Sequence, residues 1–132
     1  MATYPTDYRF TREHEWVSAK GELATVGITD YAQHELGDVV FVGMPEVGTA
    51  MKAGQILGSV ESVKTMSDIY APVSGTVVEV NSELTAAPEK VNQDPHGAGW
   101  MVRIKLTDPA ELGGLLDAMA YQAFIAEKDS SA

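Results

Sequence analysis

The chain has 132 residues, 45% of them hydrophobic, with 19 acidic side chains against 9 basic ones and a formal net charge of −10. That length holds one domain with a core that buries roughly two-thirds of the unfolded chain's surface, while the acidic excess repels nucleic-acid phosphate and anionic lipid. With no cysteine, disulfides, thiolate catalysis, zinc-thiolate sites and iron-sulfur ligation are excluded from the polypeptide itself.

The first 16 residues have neither an apolar signal core nor a basic amphipathic character, and no apolar run reaches the length of a membrane span. A cytoplasmic protein is expected, with no nucleic-acid or membrane partner. Short apolar runs alternate with Gly, Pro, Asp and Asn from there to residue 106, the pattern of a mainly β fold. Residues 23–28 read as the first strand. Thr29 and Asp30 are capping candidates for a short helix that Gly37 ends. Strands follow over 39–42, 55–61 and 76–80. The clearest covers 100–106, where Trp100, Val102, Ile104 and Leu106 share one face and Arg103 and Lys105 the other. Beyond it, Asp108, Pro109 and Glu111 form a helix start. Gly113 and Gly114 each cost about 1 kcal/mol in a helix interior and predict a break there. A second helix, from about 117 to 128, is expected to pack Met119, Phe124 and Ile125 onto the sheets, ahead of a frayed polar tail. The expected organisation is one domain over 1–132: a core over about 8–106, a C-terminal helical segment over about 108–128 and a tail over 129–132.

The chain contains no P-loop, no glycine-rich dinucleotide turn and no Gly-x-Ser-x-Gly elbow. His14, His34 and His96 lie far apart and read as structural or surface residues, so no metal site and no self-sufficient active site are expected. The informative stretch is 56–78. Two apolar strand-like arms flank a small polar tip that holds Lys64 at its outermost point, with its amine solvated and accessible to another protein's active site. A lysine at a turn is usually only a solvated charge, so its neighbours decide the reading.

Glu61, Ser62, Val63 and Lys64, followed by Ser67, Asp68, Ile69, Tyr70, Ala71, Pro72, Val73, Ser74 and Gly75, resemble the lipoylation hairpin of the glycine cleavage system H proteins. Further similarities are His14, Glu15, Trp16 and Val17; Gly27 to Ala32; Leu36 to Val42; and Val91, Asn92, Asp94, Pro95, Gly99 and Trp100. The likeness covers roughly 8–124, in family order. Thr65 and Met66 depart from it, as do His96 and Ala98. Met66 evokes the Met-Lys-Met tip of biotinyl domains, but Val63 and Thr65 adjoin the lysine.

The resemblance implies a barrel-sandwich hybrid, the lipoyl-domain-like fold of two antiparallel sheets with short helices and a C-terminal helical extension. It implies lipoic acid in amide linkage to Lys64, with Glu61 and Gly75 helping the attaching enzyme recognise the hairpin. Glu61 also reads as a surface charge, and Gly75 as a turn residue. The implied function is that of a non-catalytic carrier. It would take an aminomethyl group from a pyridoxal-phosphate glycine decarboxylase to a tetrahydrofolate-dependent aminomethyltransferase. A dihydrolipoyl dehydrogenase using FAD and NAD would then reoxidise it. Glu15 and Asp68 are the implied carboxylates of a groove for the loaded arm, with Glu13 adding charge. The alternative is a lipoyl reservoir or relay that donates to 2-oxoacid dehydrogenases, and a third reading is an unmodified interaction module on the same fold.

Overall fold

A computed structural model describes residues 4–130, with side chains to Glu127. The strands are β1 (Arg9–Phe10), β2 (Glu15–Lys20), β3 (Leu23–Ile28), β4 (Val39–Gly43), β5 (Ala50–Met51), β6 (Ile56–Ser62), β7 (Met66–Tyr70), β8 (Gly75–Val80) and β9 (Val102–Leu106). They form two antiparallel sheets, one of six strands in the order β1, β2, β3, β9, β8, β5 and one of three in the order β4, β6, β7. Val26, Val77, Val102 and Ile104 from the larger sheet meet Val42, Leu57, Val60 and Ile69 from the smaller in one buried cluster. The fold is therefore mainly β, two antiparallel sheets packed over a common core, as expected.

The helices are α1 (Asp30–Leu36), α2 (Glu83–Ala86), α3 (Lys90–Gln93) and α4 (Ala118–Ser130). In α1 both punctuation signals act as read: the Thr29 side chain accepts from Ala32 N–H, and the Gly37 N–H closes on the Gln33 carbonyl. Leu36, Leu84 and Val91 carry α1, α2 and α3 into the core. No helix among the described residues is long and apolar enough to cross a membrane.

The C-terminal segment departs from expectation in its details. Pro109–Gly114 is a 3-10 turn, with the Asp108 side chain accepting from Ala110 N–H. The two glycines close that turn and the break falls after them, where Leu116 is extended and exchanges two backbone hydrogen bonds with Phe10, each 2.8 Å, before α4 starts at Ala118, close to the expected 117. Met119 faces outward and is 81% exposed. The inward face of α4 consists of Ala118 and Tyr121, with Phe124 and Ile125 a turn further on, packed with Phe10 and Trp16 in a second cluster. Residue 119 is rotated about 100° from Ala118 around the helix axis. The helix continues to Ser130, so of the expected frayed tail Asp129 and Ser130 are helical, while 131–132 lie outside the described residues.

Strands β1, β2 and β5 were not read from the sequence, and β7 was read only as part of an arm of the hairpin. In β2, Glu15, Trp16 and Val17 are all buried, because the strand lies between the two clusters and its first residues are covered on both faces. That removes the polar-apolar alternation by which a half-buried strand is recognised.

Candidate functional site

Strands β6 and β7 pair down to Glu61 opposite Met66, which leaves Ser62, Val63, Lys64 and Thr65 at the tip. The tip satisfies its own backbone. Ser62 N–H donates to the Thr65 carbonyl at 2.7 Å, and Ser62 Oγ accepts from the Lys64 and Thr65 N–H groups at 3.3 and 3.2 Å. Val63 N–H donates to the Asp38 carbonyl at 3.0 Å, tying the tip to the connection between α1 and β4. Asn92 of α3 braces that connection. Its Oδ1 accepts from Val39 N–H at 2.8 Å, and its Nδ2 donates to Gln33 Oε1 and the Gly37 carbonyl, both at 2.9 Å.

Lys64 is exposed on this support. A Cβ built on Gly37 would stand 3.6 Å from Lys64 Cε, so the lysine stem lies over the end of α1. Among the described residues the ion pairs engage Lys90, Arg103 and His34 but not Lys64. Acylation of Nζ therefore removes a charge without breaking an ion pair, and an amide-linked group fits the site.

Glu61 lies in a row across the small sheet, with Phe41 opposite it on β4 and Met66 opposite it on β7. A register shift between Val39 and Phe41 lets Val40 and Phe41 both face outward. With Val63 at 70% exposed, Met66 at 60% and Phe41 at 52%, the charge of Glu61 is set among apolar side chains. The sequence singled out Glu61 and not Phe41, because a bulge has no signature in the spacing of apolar residues. Gly75 opens β8 at the other end of the hairpin. A Cβ there would fall 2.1 Å from the Lys105 carbonyl oxygen, so a glycine is required by the close approach of β9.

Beside the tip lies a groove of about 360 Å³. Tyr31, Ala32, Glu35 and Leu36 of α1 form one wall, Glu13 and His14 from the connection between β1 and β2 form another, and Ser67 and Ile69 of β7 close it. Leu36 of the α1 wall adjoins Gly37, over which the lysine stem lies. Its two carboxylates, Glu13 and Glu35, suit a cationic amine.

The expected groove residues Glu15 and Asp68 sit differently. Asp68 is exposed on β7 between Ser67 and Ile69, on the opposite face of that strand from the groove. Glu15 is 1% exposed. Its Oε1 accepts from the Thr11 hydroxyl at 2.5 Å and its Oε2 from Tyr70 N–H at 3.1 Å, which joins the base of β7 to the connection carrying Glu13. Burial pushes the Glu15 carboxyl up to about 7, against the two hydrogen bonds that lower it and with a smaller rise from the charge of Glu13. Glu35 carried no sequence signal, since an exposed glutamate on a short helix looks like any solvated charge.

A larger hollow of about 700 Å³ lies between Met51, Gln55, Ser74 and Glu111. It is at the end of β6 and β7 remote from Lys64, and Ser74 N–H and Oγ already donate to Glu111 at 2.6 and 2.8 Å.

Residues 8–128 match the family profile described as Glycine cleavage H-protein. The glycine cleavage system H protein of Acidobacterium capsulatum is 59% identical over 125 residues, 95% of this chain and 96% of the relative. That of Symbiobacterium thermophilum is 54% identical over 127 residues, 96% of this chain and 99% of the relative. The crystal structure of a glycine cleavage system H protein from Mycobacterium marinum superimposes with a TM-score of 0.83 at 43% identity, covering 90% of this chain and 96% of that one. The chain belongs to the glycine cleavage H-protein family.

Proposed function

We propose that this family member carries a lipoyl group on Lys64 Nζ and serves as a single-domain, non-catalytic carrier of the glycine cleavage reaction. The observation that carries the reading is an exposed lysine on a braced tip, its stem against the end of α1, whose other residues wall a groove containing two carboxylates. A lipoyl group held on Lys64 Nζ would supply a dithiolane, the redox-active sulfur pair needed to carry an aminomethyl unit between a glycine decarboxylase and a tetrahydrofolate-dependent aminomethyltransferase and to be served by a dihydrolipoyl dehydrogenase.

The chain's own residues do the remaining work. The tip presents Nζ to the lipoyl-attaching enzyme, with Glu61 in its apolar row as the local recognition feature. Gly75 acts at a distance by permitting the strand pairing that supports the hairpin. Tethering the group to one rigid point raises its effective concentration at each partner enzyme. The groove shelters the loaded arm's cationic amine from water through Glu13 and Glu35. Glu15 holds β7 and the Glu13 connection together from beneath, and Asp68 adds negative charge on the outer face.

A lipoyl relay to 2-oxoacid dehydrogenases uses the same tip but has no need of a sheltered acidic groove, which favours the carrier. The test is the intact mass of protein from its native source, with the modified peptide mapped. A lipoyl or octanoyl increment on Lys64 is expected, and trypsin should skip that residue. An unmodified Lys64 in native material overturns the reading. Glycine-dependent loading by the decarboxylase then separates carrier from relay.

A further inference from the structure

The residue that ties the groove's two walls together belongs to neither of them. Tyr121 of α4 is fully buried, and its hydroxyl lies 2.8 Å from His14 Nδ1 and 2.7 Å from Thr29 Oγ1. His14 lines the groove next to Glu13. Thr29 caps α1, accepting from Ala32 N–H at 3.2 Å, and α1 supplies the facing wall. One phenolic oxygen therefore spans both walls, from a helix more than 90 residues further along the chain.

The backbone shows why the tie is needed. His14 has φ +71, the only non-glycine residue with a positive φ among those described, and a side chain there is held only when its surroundings over-determine it. Tyr31 and Phe124 flank the His14 ring at 4.7 and 6.0 Å between centroids. The ring of Tyr121 is independently seated on Phe10, stacked at 4.8 Å, so the hydroxyl is aimed from a rigid base. Burial pushes the phenol's pKa up, which keeps it a neutral hydrogen-bonding group.

We infer that Tyr121 is a positioning residue for the groove: its hydroxyl fixes His14 against the α1 cap and so sets how tightly the loaded arm is sheltered. The inference rests on the groove reading proposed above. Tyr121 touches neither the arm nor a partner enzyme, and the C-terminal helix thereby becomes part of the carrier site.

The test uses lipoylated protein, reduced and loaded at the dithiol with formaldehyde and ammonium, and follows the release of formaldehyde and ammonia with time. Tyr121→Phe retains the stacked ring and removes only the oxygen. Release is expected to rise about fivefold, the rate equivalent of one hydrogen bond. Lipoylation, and reduction of the unloaded arm by dihydrolipoyl dehydrogenase, should stay at wild-type rates, since a general loss of structure would slow both. His14→Asn removes the other end of the tie with a residue that tolerates positive φ, and remains informative if Tyr121→Phe fails to fold. The double variant should release no faster than the faster of the two single variants, since both break the Tyr121–His14 contact. Additive effects, or full protection in either single variant, overturn the inference while the groove reading stands. Wild-type protein that releases as fast as aminomethylated free lipoamide overturns the groove reading and the inference with it.

Discussion

Lys64 lies across Gly37: a Cβ on the glycine would stand 3.6 Å from the lysine's Cε. The residue that ends α1 is thus also the bed on which the Lys64 side chain rests. Gly37 has φ 82 and ψ −158, a combination that is essentially restricted to glycine. Gly37→Ala is expected to cost about 1 to 3 kcal/mol in urea unfolding and to slow acylation of Lys64 by the lipoyl-attaching enzyme. Lys64→Arg, by contrast, should abolish acylation with stability within about 0.5 kcal/mol of wild type. Unimpaired acylation of the Gly37 variant would show that the contact plays no part in presenting the amine.

Asn92 fills three hydrogen-bonding roles where α1 meets β4. Asn92→Ala leaves Val39 N–H and the Gly37 carbonyl without that partner and should destabilise by about 1 to 3 kcal/mol. Asn92→Asp keeps the acceptor for Val39 but sets a carboxylate oxygen against the Gly37 carbonyl and Gln33 Oε1, and is expected to be worse than Ala. Chemical denaturation of the three proteins orders them. Aspartate better than alanine would mean that the Nδ2 bonds contribute little.

Glu15 links stability to pH. Its folded pKa of about 7 lies above the ordinary value of 4.5, so the native state binds the proton more tightly than the unfolded chain. The stabilisation it contributes is fully present below about pH 4.5 and is lost as pH rises to about 7, a change of about 3 kcal/mol. Glu15→Gln lacks this term, and its amide nitrogen must also face a donor, either the Thr11 hydroxyl or Tyr70 N–H. The stability difference between wild type and variant should therefore be largest near pH 4.5 and shrink toward pH 8. Urea midpoints across that range check the sign, and a gap that widens with pH would contradict it.

Gly75 and Glu61 separate by their effects. Gly75→Ala places a Cβ against the Lys105 carbonyl and should unfold the β8 and β9 pairing, with a loss above about 2 kcal/mol. Phe41→Ser with Met66→Ser changes only exposed side chains beside Glu61 and should leave the melting temperature nearly unchanged while slowing lipoylation. A stable double variant acylated at the wild-type rate would remove the apolar row from recognition.

Strand β3 and both caps of α1 were readable because each depends on neighbours within a few residues: alternation in the first case, a Thr29 hydroxyl and a Gly37 backbone in the second. The tip was readable for the same reason, as a short polar run with Lys64 in its middle between two apolar arms. The groove was not. Glu15 was expected to line it and is buried beneath it, while Glu13, expected only to add charge, does line it. Two positions along the chain decide little when the connection between them turns through the positive φ of His14. Glu35 and Tyr121 gave no signal, since their roles depend on what stands opposite them.

Local chemistry alone thus determined a mainly β chain, an exposed lysine on a tight turn and the resemblance that those ordered motifs carry. Tertiary structure decided which carboxylates line the groove, which face of α4 turns inward and that the Tyr121 hydroxyl reaches both His14 and Thr29. Hydrogen bonds across 92 and 107 positions form only after the two sheets and the C-terminal helix have packed, and no periodicity in the sequence encodes them.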